Sequence, residues 1–134
     1  MKILLIEDSK FQRVANERAL VKAGYSVIQA GTAKRVSVLL ARTFPILILL
    51  DMMLPKVSGL DVLRALKADV FVKHIPVIVL SGLGQANATK LLKEGAAAFF
   101  MKSEKPFENS SSALIQAVES VLTQSKNIVA TAAH

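Results

Sequence analysis

Ile46-Leu47-Ile48-Leu49-Leu50-Asp51 is the stretch that decides the fold: an unbroken aliphatic run that ends on a carboxylate. A strand with one wet face alternates apolar and polar side chains, so a run without alternation is covered on both faces. Strands of a parallel sheet read this way, because helical crossovers bury each side of the sheet. Working outward, comparable short apolar runs stand at residues 3–6, 25–30, 77–80 and 98–101.

The segments between these runs carry helical periodicity. Ser9 is placed to cap a first helix bearing Phe11, Val14, Ala15 and Val21, closed by Gly24 in a position suited to a left-handed residue. Thr32 caps a second helix with Val36, Leu39 and Leu40. A third is expected over about residues 58–68 with Leu60 and Leu63 inward, and a fourth over about 85–94 with Ala88, Leu91 and Leu92 inward, stopping at Gly95. The last, over about 109–123, shows Leu114, Ala117, Val118, Val121 and Leu122 at helical spacing. Five strands alternating with five helices make an α/β fold with a doubly wound, open parallel sheet. Residues 1–123 read as one domain, and the weakly patterned residues 124–134 as a loose tail or the start of a linker.

Bulk properties narrow the function. The chain has 134 residues, 52% of them hydrophobic, enough for one packed core. It has no cysteine, which excludes disulfides, thiolate metal sites and cysteine catalysis. The opening apolar run is cut by Glu7-Asp8 far short of a signal-peptide core. No apolar stretch approaches the roughly 18 residues that span a bilayer, so a soluble, cytoplasmic protein is expected. The net charge of +7 favours acidic partners, yet the basic residues are scattered from Lys2 to Lys126 without aromatic interleaving. A solvated mixed surface accounts for that better than a nucleic-acid footprint. The two histidines, His74 and His134, do not make a metal site, and Asp61 and Asp69 read as solvent-facing. Gly82 and Gly84 read as loop residues, and no phosphate-binding glycine motif exists.

Ligands of an open parallel sheet bind at the carboxyl ends of its strands. Glu7 and Asp8 follow the first strand, Asp51 the third, Ser81 the fourth and Lys102 the fifth. Polar strand ends are ordinary taken singly. That does not explain why the acids follow the first and third strands while a lone lysine follows the fifth.

These residues resemble the receiver domain of bacterial response regulators over about residues 2–122. Glu7-Asp8 is similar to the family's acidic pair. Asp51-Met52-Met53-Leu54-Pro55, continuing through Val57 to Gly59, is similar to its D-x-x-[LM]-P-x-[MV]-x-G segment. Ser81 stands where the family has Ser or Thr, and Gly95-Ala96, Phe99 and Lys102 match its G-A-x-x-[YF]-x-x-K ending. The resemblance implies a flavodoxin-like sheet in the order 2-1-3-4-5, and a two-component signalling receiver that is no enzyme beyond its own phosphoryl transfer and dephosphorylation. Asp51 would be the phosphoacceptor. Mg²⁺ would be held by Asp8, Asp51 and the Met53 carbonyl, with Glu7 acting through water or as a further ligand. Lys102 and Ser81 would contact the phosphoryl oxygens, and Ser81 and Phe99 would form the switch. The implied partners are a sensor histidine kinase or phosphotransfer protein and a downstream protein target met by the fourth helix, fifth strand and fifth helix. No membrane partner and no direct nucleic-acid binding are expected.

One departure stands out. The family's lysine is commonly followed at once by proline, often in a cis bond, whereas here Lys102 is followed by Ser103-Glu104, with Lys105-Pro106-Phe107 after that. Either Lys102 is the functional lysine with two residues inserted behind it, or Lys105 takes the role. Spacing from Gly95-Ala96 and the apolar run ending at Met101 favour Lys102. A receiver-like interaction module that works without phosphorylation is the alternative reading.

Overall fold

The computed structural model describes residues 1–30, 36–52, 58–81, 88–101 and 110–132, with the backbone alone for 37–39, 41, 88, 110–111 and 125–132. The elements alternate as expected: β1 (Lys2–Ile6), α1 (Lys10–Lys22), β2 (Ser26–Ala30), α2 (Val36–Thr43), β3 (Leu47–Asp51), α3 (Gly59–Ala68), β4 (Val77–Ser81), α4 (Ala88–Lys93), β5 (Ala98–Met101) and α5 (Ser110–Ala132). The sheet is five-stranded and runs β2-β1-β3-β4-β5, with every pair parallel.

Unalternated strands lie in the middle, as their sequences demand: β3 and β4 are buried at every position. Odd and even residues feed two different cores. Leu4, Ile6, Ile48, Leu50, Val77 and Val79 pack with Val36, Leu63 and Leu91 beneath α2, α3 and α4. Ile3, Leu5, Leu47, Leu49, Ile78 and Leu80 pack on the other side with Leu20, Leu114 and Val118 from α1 and α5. Each such aliphatic side chain contributes about 1.5–3 kcal/mol of burial, which is what holds the strand ends in register.

Helix ends follow their local chemistry. The Ser9 hydroxyl accepts from the Gln12 N–H at 3.4 Å, and Ser58 accepts from the Leu60 N–H at 3.1 Å. Gly24 and Gly95 follow α1 and α4 at φ +102° and +108°, the left-handed region that favours glycine. The Thr32 cap lies outside the described residues.

Not every apolar helix residue faces inward. Of those on α1, Phe11, Ala15 and Val21 face solvent and Val14 is half-buried, and the inner face is centred on Leu20, which is fully buried. The stripe through Arg13, Asn16, Glu17 and Leu20 is largely polar. Leu92, expected inward, is 48% exposed, while Leu91 is buried as expected. The backbone of α5 remains helical through Ala132, beyond the expected end at Thr123. Residues 110–132 contain neither glycine nor proline, and a nucleated helix propagates until something stops it.

Candidate functional site

Parallel pairing fixes which residues meet at the carboxyl edge. Ile6 pairs with Leu50, so Glu7 and Asp51 stand level on adjacent strands. Asp51 pairs with Leu80, which places Ser81 one step further along, and Ser81 pairs with Met101. Glu7 and Ser81 are fully buried and Asp51 is 2% exposed. Asp8 is exposed at the rim. Lys102, Met53, Lys105 and Pro106 lie outside the described residues.

Glu7 is held by contacts from β2 and from the start of α1. Glu7 N–H donates to the Ala30 carbonyl at 3.1 Å, continuing the β1–β2 ladder past its last paired residue. The Ser9 N–H donates to Glu7 Oε1 at 3.3 Å, and Arg13 Nη1 donates to the Glu7 carbonyl at 3.1 Å. The start of α1 therefore fixes Glu7 from two sides. That Arg13 reaches back to the strand end was not legible beforehand; its only signal is its place on the first turns of the helix that follows.

Asp51 is located from the other side. Met52 N–H donates to the Leu80 carbonyl at 3.0 Å, and Gly59 N–H donates to the Met52 carbonyl at 3.2 Å. Gly59 sits so close that a Cβ on it would lie 2.6 Å from Met52 Cα and 2.9 Å from the Asp51 carbonyl oxygen. The first residue of α3 thus rests against the backbone that carries Asp51, and only glycine permits that approach.

Strand alternation also sorts the candidates by face. Glu7 and Asp51 continue the odd-numbered face of β1 and β3, on the α1 and α5 side. Ser81 continues the Val77–Val79 face of β4, toward α3 and α4, and Phe99 packs half-buried against that same core. Phe99 is in register with Val79, so Ser81 and Phe99 share one side of neighbouring strands.

In chemical terms the described donors are hard oxygens. Two buried carboxylates with a third at the rim suit a small divalent cation better than a soft metal. Among the described residues no group of three His, Cys, Asp or Glu side chains gathers tightly enough to hold a metal ion unaided. One or two carboxylates completed by main-chain oxygen and water is the coordination that Mg²⁺ adopts.

The family model of the response regulator receiver domain matches residues 3–119. The chain belongs to the response regulator receiver domain family. It is 39% identical over 106 residues to the gliding motility regulatory protein of Myxococcus xanthus, covering 78% of this chain and 14% of that one. It is 35% identical over 107 residues to the phosphate regulon transcriptional regulatory protein PhoB of Pseudomonas aeruginosa, covering 79% of this chain and 47% of that one. The chain therefore spans less than half the length of these two relatives. Among solved structures it is similar to the Mn²⁺-bound form of response regulator Rcp1, with a TM-score of 0.75 and 26% identity, covering 89% of this chain and 91% of the other. This receiver is a signalling module of the two-component type. Among its described residues no helix is long and apolar enough to cross a membrane.

Proposed function

We propose that Asp51 accepts a phosphoryl group in a Mg²⁺-dependent reaction, from the phosphohistidine of a sensor kinase or phosphotransfer protein. The observation that carries this is the edge itself: Asp51 at the end of β3, level with buried Glu7 and one step from buried Ser81. A carboxylate oxygen of Asp51 attacks phosphorus, the phosphorus–nitrogen bond of the donor breaks, and the imidazole leaves and takes up a proton. Asp8, Asp51 and the Met53 carbonyl, with Glu7 beside them, would hold the metal, and a divalent ion bound there would offset charge on the phosphoryl oxygens. Rcp1 binding Mn²⁺, another hard divalent ion, supports an oxygen-donor site of this kind.

Lys102, directly after β5, serves the opposite side of the phosphoryl group as a compact point charge. The Ser81 hydroxyl donates to a phosphoryl oxygen. Because Ser81 and Phe99 share a face, movement of the hydroxyl toward the phosphoryl group frees space for the ring, and the equilibrium of the α4–β5–α5 surface shifts toward a downstream protein.

Incubation with acetyl phosphate and Mg²⁺, followed by intact-mass measurement, tests this. One phosphoryl adduct is expected, absent in Asp51→Asn and absent when the metal is chelated. A folded wild-type protein that gains no adduct would leave the phosphorylation-independent interaction module as the correct description.

A further inference from the structure

We propose that the edge of the sheet opposite Asp51 docks on an anionic membrane surface. At that edge the strands begin and α1 to α4 end. It is basic: Lys2, Lys22, Arg42, Lys73 and Lys93 are all exposed there. Its described acids are Asp69, Glu94 and, beside Tyr25, Glu119. Glu94 is engaged by Arg64 at 3.0 Å, and Asp69 Oδ1 accepts from the Phe71 N–H at 2.9 Å. Cations at helix carboxyl ends are ordinary, since the helix dipole favours them. The dipole does not explain the exposed aromatic side chains two residues from Arg42 and Lys73.

Phe44 is 80% exposed, Phe71 83% and Val70 67%. Phe44 and Phe71 precede neighbouring strands, whose entries are tied by the Ile48 N–H donating to the Pro76 carbonyl at 3.0 Å. Neither is on a slack tip. The turn that carries Phe71 is fixed by Lys73 N–H on the Asp69 carbonyl at 2.8 Å, and by Lys67 Nζ on the Lys73 and Ile75 carbonyls at 3.0 and 2.9 Å. Phe44 takes φ +49°, a conformation that disfavours any residue with a Cβ, just before buried Pro45. Both rings are thus held outward.

Exposed apolar groups ringed by polar ones mark protein or membrane contacts. A ring seated in a peptide groove is partly covered by the groove walls; at 80% and 83% exposure these two have none. Protruding aromatic residues on a basic background are what a bilayer interface takes up, through its acyl boundary and its anionic headgroups. The acidic edge at Glu7, Asp8 and Asp51 would face away, repelled by the same headgroups and open to solution. Such contact needs no spanning segment, so it departs from the expectation of no membrane partner, which rested on span length.

Cosedimentation of the whole chain with vesicles tests the proposal. Vesicles of phosphatidylcholine alone are compared with vesicles of phosphatidylcholine and phosphatidylglycerol at about two to one. Partitioning at least about tenfold stronger onto the anionic vesicles is expected, weakening with salt. It falls about tenfold in Phe44→Ser/Phe71→Ser and about fivefold in Lys73→Gln. Both variants keep the wild-type circular dichroism spectrum, since the altered side chains are on the surface. Equal partitioning onto the two vesicle types overturns the proposal. So does binding that ignores the Phe44 and Phe71 changes and is matched by soluble polyglutamate, which would assign the edge to an acidic protein.

Discussion

Replacing Gly59 by alanine probes how Asp51 is positioned. The added Cβ would stand 2.6 Å from Met52 Cα, 2.9 Å from the Asp51 carbonyl oxygen and 3.0 Å from the Met52 carbonyl oxygen. All three are main-chain atoms, so no flexible side chain can swing aside. Reaching ordinary contact near 3.4 Å needs a shift of about 0.8 Å between α3 and the end of β3. Overpacking of that kind destabilises by about 1–3 kcal/mol, or about 4 °C in melting midpoint per kcal/mol for a domain of this size. The same shift moves Asp51 relative to Glu7 and Ser81, and displacements approaching 1 Å slow positioned chemistry by about tenfold to a hundredfold. Urea unfolding followed by circular dichroism reads the first effect, and the rate of labelling by acetyl phosphate reads the second. Gly24→Ala is the matched contrast. Its Cβ would meet nothing within 4 Å, but φ is +102°. About 1 kcal/mol of backbone strain is expected there, with labelling unchanged. The reasoning is refuted if Gly59→Ala unfolds and labels like wild type, or if Gly24→Ala slows labelling as much as Gly59→Ala does.

Three further outcomes are expected. Leu63→Ala removes a fully buried α3 side chain and lowers unfolding free energy by about 2–5 kcal/mol in urea, with an unchanged dependence on denaturant. Phe44→Gly relieves the left-handed backbone at φ +49° and raises stability by about 1 kcal/mol, less the extra freedom of the unfolded chain. The Arg64 guanidinium holds the Glu94 carboxyl below the usual carboxylate range, through two hydrogen bonds at 3.0 and 3.1 Å. The folded state therefore binds that proton less readily than the unfolded one. The pair's stabilisation is present above the unfolded Glu pKa and lost as pH falls through the depressed folded value. Melting temperature plotted against pH should fall less steeply on the acid side in Arg64→Ala; parallel curves would remove the pair from the account.

The fold was legible because β3 and β4 have no polar alternation and because Ser9, Gly24, Ser58 and Gly95 punctuate the helices. Strand order followed from the family motif, and the register bears it out. The carboxyl edge was readable for a related reason: Glu7, Asp51 and Ser81 directly follow or close apolar runs, so locating the strands located them. What escaped was rotation and proximity. Apolar spacing does not mark the inner face of α1: Phe11 and Val21 are apolar but exposed, while Arg13, Asn16 and Glu17 line the half-covered side. The tight approach of Gly59 to Met52 is a tertiary distance, and a glycine in a motif does not reveal what it touches. The continuation of α5 was missed because apolar spacing fades after Leu122, although nothing in residues 123–132 interrupts a helix.

Because Glu7, Asp51 and Ser81 stand at the ends of three strands that are far apart in sequence and brought level by lateral pairing, no short contiguous peptide of this chain carries the edge. A nascent, damaged or partly digested copy displays the same aspartate without its buried neighbours. The assembled edge is in this way confined to intact molecules, and fragments left by turnover carry its residues only apart.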